Sequence, residues 1–342
     1  MKQIDRTVLR LLDANLNRAA EGLRVLEECS RMICNHSPLS LKTKGLRHTL
    51  AAIVRSEPEL DRTILFARDA DHDVFNSGAT ESETTRTDIP SLVRANAKRV
   101  AEAVRALEEY GKLVSPDLAV RFKKVRFEVY SLEQKLVVMI ARRDLSGSGR
   151  FRLGYACDLE KNGKRLPEVV SRLADSGAGF IIACRGSMAD RAYAESAAEL
   201  VDLCSGAGIL AIIEHRLDIA LVSGAEGMIL GADDISPLRC RRSACLPFII
   251  GYRLKAADRV QAAERDAIDL FIVEYDDLRI AEGAFNELSG EAGNLVLLNG
   301  IEKPEQLNAI DSSRVHGIVL SSGVGLESIR LSFLPFVQTL HR

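Results

Sequence analysis

The sequence predicts an α/β chain, a (β/α)8 TIM barrel preceded by an all-α helical domain with an internal duplication. Three observations predict it. Residues 1–142 carry apolar residues at helical spacing almost throughout. One amphipathic stretch is written twice, DANLNRAAEGLRVLEE at 13–28 and RANAKRVAEAVRALEE at 94–109. Beyond residue 150 the period changes, and eight short apolar runs follow one another, most of them separated by helix-like segments.

In the first copy Leu12, Leu16, Ala19, Leu23 and Leu26 form one apolar stripe; Val93, Ala97, Val100, Val104 and Leu107 repeat it in the second. Further helices are expected over Ser40–Val54 and Pro116–Arg142, and KTKGLRHTLAAI in the former is similar to RFKKVRFEVYSL in the latter. A unit of about 80 residues written twice suits a pseudo-two-fold bundle better than a solenoid. Between the copies, residues 68–90 are polar and rich in Asp and Thr, a long loop of the kind that is often functional. LSGSGR at 145–150 reads as a linker, which divides the chain into a helical domain at 1–145, a linker at 146–152 and a barrel at 153–342. The expected strands are LGYAC, FIIAC, ILAII, GMIL, PFIIG, LFIVE, LVLLNG and HGIVLSS. Continuous apolar runs fit parallel strands covered on both faces. A doubly wound open sheet is the alternative and accounts less well for the count of eight.

A chain of 342 residues, 46% hydrophobic, has room for about two domains with a sizeable core. A net charge of −2 supplies no field that would favour nucleic acid or a membrane surface. The absence of Trp argues against base stacking. There is neither a signal-peptide core nor a run of ~18 apolar residues, so a cytoplasmic protein is expected. The seven cysteines show no CxxC and no zinc spacing, and read as small buried hydrophobes in a reducing compartment.

Arg18, Glu21, Arg24 and Glu28 lie opposite the apolar stripe, and Arg99, Glu102, Arg105 and Glu109 match them position for position. Asn15 and Asn96, poor helix formers, hold the same rung. Two readings stand. The charges lock helices together, or Asn15, Arg18, Arg24, Asn96, Arg99 and Arg105 line a phosphate pocket. The loop RDADHDV also has two readings. Arg68 grips phosphate while Asp69 and Asp73 hold Mg²⁺, or the stretch is an Asp-rich turn. No G-x-x-x-x-G-K-[ST] is present, so a nucleotide site here is not a Walker loop. RCRRSAC at 239–245 reads as solvated surface, and His48 and His316 as surface or satisfied core.

The segments LDANLNRAAEGLRVLEECSRM, LKTKGLRHTL, ARDADHDV and RANAKRVAEAVRALEEYGKL resemble the helical domain fused to some bacterial thiamine phosphate synthases. That resemblance implies a hydroxymethylpyrimidine-phosphate kinase-like role and ATP as a cofactor. Phe75 departs from it, standing where the family usually has Gly. The barrel half resembles thiamine phosphate synthase itself: AIIEHRLDIALVSGAEGMILGADD is similar to the family's INDRxDLAxxxGAxGVHLGQxD, and LADSGAGFIIACRGS to the strand carrying its Q-x-R-x-K. The implied chemistry is a transferase step of thiamine biosynthesis. Diphosphate leaves a pyrimidine methylene and a thiazole nitrogen captures the carbocation-like centre. Mg²⁺ and cationic donors assist the departure.

By position the resemblance makes Arg185, Glu214 and His215 catalytic and Asp234 a metal ligand. It makes Arg253, Gly300, Ser321 and Ser322 phosphate-binding residues. The departures are many. Ala183 and Ser187 replace the Gln and Lys, Glu214-His215 the Asn-Asp pair, Ala232 a Gln, Arg253 a Ser and Asn299 a Gly. VEYDDLRI, with Glu274, Asp276 and Asp277, replaces the Thr-rich GPVFPTxTK. Two expectations follow. One is a thiamine-biosynthesis protein that binds phosphorylated pyrimidine or thiazole metabolites, its activity lying in the helical domain. The other is a non-catalytic pseudoenzyme that senses a metabolite or binds a partner. The expected partners are a phosphorylated small molecule and further copies of the chain, with no nucleic acid and no membrane.

Overall fold

A computed structural model describes residues 4–68, 86–244, 248–255, 260–277, 294–327 and 329–340. Two compact units divide the chain, Met1–Ile140 and Ala141–Arg342. In the first, α1 (Arg6–Glu28) starts where the Asp5 carboxylate accepts from the Thr7 N–H at 2.7 Å. A π-helical turn, Cys29–Ile33, leads to α2 (Ser37–Arg55) and α3 (Pro58–Thr63). The second copy supplies α4 (Ile89–Gly111), opened by a capping box between Asp88 and Ser91, and α5 (Pro116–Gly147).

Leu12, Ala19, Leu23 and Leu26 on α1 and Val93, Ala97, Val100, Val104 and Leu107 on α4 belong to one core, and Leu16, the remaining member of the first stripe, is partly buried against it. The π turn has a sequence cause. Arg105 follows Arg24 by 81 positions, whereas Arg126 follows Arg47 by 79, so the first copy carries two extra residues at this junction. A wider turn takes up part of that excess, and Asn35 at φ +47 completes the reversal.

The second unit is a closed barrel of eight parallel strands in sequential order. The strands are β1 (Leu153–Asp158), β2 (Phe180–Cys184), β3 (Leu210–Glu214), β4 (Gly227–Leu230), β5 (Ile249–Leu254), β6 (Leu270–Glu274), β7 (Leu295–Ile301) and β8 (Gly317–Leu320). Between them lie α6 (Leu159–Asn162), α7 (Leu166–Asp175), α8 (Asp190–Ala207), α9 (Leu217–Ser223), α10 (Pro237–Ser243) and α11 (Ala262–Arg265). After β8 come α12 (Ile329–Ser332) and α13 (Leu334–Val337). Alternation splits each strand's side chains. Phe180, Ile182, Leu210, Ile212, Ile249, Leu270, Ile272, Leu295, Leu297 and Val319 fill the lumen, and the intervening residues pack under the helices.

Two expectations are corrected. LSGSGR is not a linker from its first residue, because α5 continues to Gly147. Within the second unit its tail is tied down: Arg142 Nε donates to Asp269 Oδ1 at 2.9 Å, and Nη2 donates to the Asp266 carbonyl at 2.6 Å. The basic run at 239–245 is also not wholly solvated surface. The Arg241 side chain is nearly buried, donates to the carbonyls of Phe248 and Ala267, and pairs with Asp269. Asp269 also accepts the Ile250 N–H at 2.8 Å, so one buried carboxylate serves two guanidinium groups and a strand amide. His316, half-buried, accepts the Val296 N–H on Nδ1 at 3.0 Å. Among the described residues no helix is long and apolar enough to cross a membrane.

Candidate functional site

The lumen alternation continues to the C-terminal strand ends. It brings Cys184, Glu214, Arg253, Glu274 and Asn299 inward, each two residues past a lumen position. Arg253 is the hub: Nη1 bonds Glu274 and Nη2 bonds Glu214. Asn299 Nδ2 donates to both Glu274 oxygens, at 3.1 and 2.9 Å. Burial opposes the Arg253 charge, but the two carboxylates outweigh it and raise its pKa further. Burial, reinforced by the Glu214 carboxylate, pushes the Cys184 thiol well above its ordinary range. Asn299 Oδ1 is buried and has no hydrogen-bond partner among the described residues.

His215 follows Glu214 at φ +66, a left-handed conformation that costs a non-glycine residue energy. The turn is closed by the Arg216 N–H donating to the Glu214 carbonyl at 2.9 Å. The His215 N–H is held by the Ile229 carbonyl at 2.9 Å. The ring is then fixed: Nδ1 lies 2.7 Å from Asp234 Oδ2, which also accepts the Gly231 N–H at 2.6 Å. Nε2 sits 3.7 Å from Glu214 Oε1.

Mg²⁺ asks for several uncommitted oxygens in octahedral geometry. Asp234 Oδ2 already accepts a backbone N–H and faces a ring nitrogen, and Glu214 Oε1 is taken by Arg253. Among the described residues no three His, Cys, Asp or Glu side chains converge as a metal would require. As arranged, the described side chains of the mouth do not fit the ion.

Arg185 leaves the ring. The inward position of β2 is its neighbour Cys184, and Arg185 turns to the Met188 carbonyl at 2.7 Å and Asp190 at 2.8 Å. Arg216 shares Asp190 and also holds Asp218, each at 2.6 Å. Its hydrogen bonds hold the Asp218 carboxyl down at about 2. Ser187 bonds Glu160 through both its N–H and its hydroxyl, at 2.8 and 2.6 Å.

On the far side of the mouth Gly300 adopts φ +83, which a side chain rarely tolerates. The Ser321 N–H is spent on the Ile301 carbonyl at 3.0 Å, and the Ser322 carbonyl accepts from the Tyr155 hydroxyl at 3.0 Å. The Ser322 and Gly323 N–H groups have no acceptor among the described residues.

In the helical unit Asn15 and Asn96 occupy equivalent buried positions and bond back to the carbonyls of Leu11 and Leu92, at 2.8 and 2.9 Å. Arg24 pairs with Glu28 at 2.9 Å, and Arg105 with Glu108 and Glu109 at 2.8 and 2.7 Å. Arg68 makes a two-pronged pair with buried Asp13, at 2.7 and 2.8 Å. Arg18 and Arg99 are exposed, and among the described residues neither has a carboxylate partner. Asp69 and Asp73 lie outside the described residues.

Sequence reasoning passed over two buried carboxylates. Glu27 is held by Arg47 of α2 at 3.0 Å, and Glu108 by Arg126 of α5 at 3.0 Å. The signal was present, because both Glu residues and both Arg residues recur in the duplicated segments. These pairs lock α1 to α2 and α4 to α5, one copy at a time.

Residues 10–135 match the ThiD2 family and residues 155–273 match the family described as thiamine monophosphate synthase. The thiamine-phosphate synthase of Rhodopirellula baltica is 34% identical over 264 residues, 76% of this chain and 69% of that protein. That of Nostoc punctiforme is 35% identical over 269 residues, 78% of this chain and 73% of that protein. Among solved structures, a thiamine phosphate pyrophosphorylase from Pyrococcus furiosus covers 57% of this chain and 98% of its own at 19% identity, with a TM-score of 0.49. Two relatives above 30% identity, each matched over more than two thirds of its length, decide the matter: the chain belongs to the thiamine-phosphate synthase family.

Proposed function

We propose that this chain acts in thiamine biosynthesis by binding a phosphorylated pyrimidine or thiazole metabolite at the barrel mouth, and that the mouth does not carry out the diphosphate-expelling step. One observation carries this reading: the Arg253 guanidinium is consumed by Glu214 and Glu274. A departing diphosphate needs cationic groups free to follow its developing charge. Here two carboxylates share one cation. A carboxylate beside an anionic leaving group opposes its departure, most strongly at the low dielectric of a buried mouth. What remains suits binding. The unpaired Ser322 and Gly323 N–H groups would receive a monophosphate, and the orphaned Asn299 Oδ1 would accept an N–H from a heteroaromatic ring.

The full chain is to be given pyrimidine diphosphate, thiazole phosphate and Mg²⁺, with thiamine phosphate formation followed and the melting temperature recorded for each ligand. The expected result is stabilisation by a ligand without product. Product formation at the rate of an ordinary synthase overturns the proposal.

The match of residues 10–135 to the ThiD2 family supports a second reading, that phosphoryl transfer to a pyrimidine phosphate belongs to the helical unit. An ATP-dependent kinase assay on the full chain tests it. Transfer that survives Arg253→Met, a change confined to the barrel mouth, is the expected pattern, and transfer lost with that change overturns this second reading.

A further inference from the structure

The structure sorts the helical unit's arginines. Arg24, Arg105 and Arg68 are committed to carboxylates. Among the described residues Arg18 and Arg99 are not, although Glu21 and Glu102 stand three residues on, within reach of a helical pair. They occupy equivalent places in the duplication, 81 positions apart.

Their relation in space follows from three contacts. Arg121, in the opening turns of α5, donates to Ser56 at the end of α2 at 2.6 Å. The end of α4 therefore lies with the end of α2. The chain that leaves α2 reaches back to α1, because Arg68 holds Asp13. So α1 and α4 run antiparallel. They approach closely where a Cβ on Gly22 would stand 2.6 Å from Val100 Cγ2 and 3.3 Å from the Asn96 carbonyl oxygen.

Gly22 is thus level with the middle of the stretch from Asn96 to Val100. By the repeat, the pseudo-two-fold then crosses the seam between Ala19 and Ala20 on α1 and between Val100 and Ala101 on α4. At 1.5 Å per residue, Arg18 and Arg99 each stand roughly 2 Å from that point along their helices. A two-fold that exchanges antiparallel helices runs perpendicular to both, so it carries one exposed edge of the seam onto the same exposed edge of its mate. Both guanidinium groups therefore rise from one face. At the about 8 Å spacing of closely packed helices, their Cα atoms are about 10 Å apart. Small residues flank each one turn away, Ala14 and Gly22 around Arg18 and Ala95 and Ala103 around Arg99.

We infer that Arg18 and Arg99 jointly bind one phosphate-bearing anion across the α1–α4 seam. Two guanidinium forks related by a two-fold match a diphosphate especially well, since its two phosphoryl groups are themselves equivalent about the bridging oxygen. This site is independent of the barrel reading.

Phenylglyoxal modification of the full chain, mapped by peptide mass spectrometry, tests the inference with pyrophosphate and orthophosphate as the probes. Both arginines should react in buffer, and the same anion concentration should half-protect both. Arg18→Gln should weaken protection of Arg99 by roughly ten- to a hundredfold, and Arg99→Gln should do the same to Arg18. Arg191→Gln, which removes an exposed barrel arginine paired with Glu195, should leave both protections intact. Protection of neither arginine, protection of one regardless of the other, or an equal loss in Arg191→Gln overturns the proposal. Failure here leaves the barrel assays unaffected, so the two readings fall separately.

Discussion

Arg253→Met puts the barrel mouth to the sharpest test. Arg253, Glu214 and Glu274 have side-chain exposures of 16, 12 and 38%. Removing one member of a fully buried ion pair costs about 3–5 kcal/mol, because the remaining charge is left without compensation. Glu274 is more than a third exposed, so its share is screened by water, and the discounted loss is about 2–3 kcal/mol. With an m-value near 3 kcal/mol/M for a unit of this size, the urea midpoint should fall by about 1 M. Hydrogen exchange of β5 and β6 amides across a urea series reads the barrel separately from the helical unit. A second variant isolates the cause. Arg253→Met with Glu214→Gln and Glu274→Gln removes every charge together, and should recover most of the loss, since replacing a whole buried network is often neutral. A single variant within about 0.5 kcal/mol of the parent refutes the ion triad as a stabilising unit, a shift typical of surface changes. A triple variant as weak as the single one assigns the loss to packing instead.

Three further outcomes are expected. Gly22→Ala should destabilise the helical unit by up to about 2 kcal/mol, because an overpacking cost of about 1–3 kcal/mol against Val100 outweighs the roughly 1 kcal/mol of helix preference gained; stabilisation in a urea series would show the seam to be loosely packed there. Arg216→Gln should raise the Asp218 carboxyl from about 2 toward the ordinary range near 3.9, followed by carboxyl carbon NMR. A depressed carboxylate favours the folded state above its unfolded value and loses that contribution as pH falls toward 2, so the variant should show less acid destabilisation over that window; an unchanged titration refutes the assignment. Burial pushes the thiols of Cys157 and Cys204 up to about 12 and Cys240 to about 11. At pH 8 these three should react with a disulfide reagent only as fast as the chain unfolds, and rapid labelling of the native protein would contradict their placement.

Much of the architecture was legible because periodicity is a local property. The eight apolar runs became eight strands, and the twice-written stripe became two buried helix faces. The ladders of charge were legible as a pattern but not as a set of partners. Arg24 and Arg105 bond along their own helices, while Glu27 and Glu108 reach across to Arg47 and Arg126. Spacing shows which residues share a face, and only packing shows which neighbouring helix meets that face. The barrel mouth was harder still. Resemblance pointed to Arg185, and a one-residue difference in which side chain faces inward put Cys184 there instead.

By itself the sequence determined the two periods, the duplication and the barrel, because each follows from short-range spacing of apolar residues. Only the tertiary structure decided which charges meet at the barrel mouth. Strands β3, β5, β6 and β7 are far apart in the chain, yet closure of the barrel sets Glu214, Arg253, Glu274 and Asn299 against one another. The antiparallel seam likewise decides that Arg18 and Arg99 rise from one face. Charges separated by dozens of residues acquire partners only when the backbone brings them within bonding distance, and no local pattern encodes that distance.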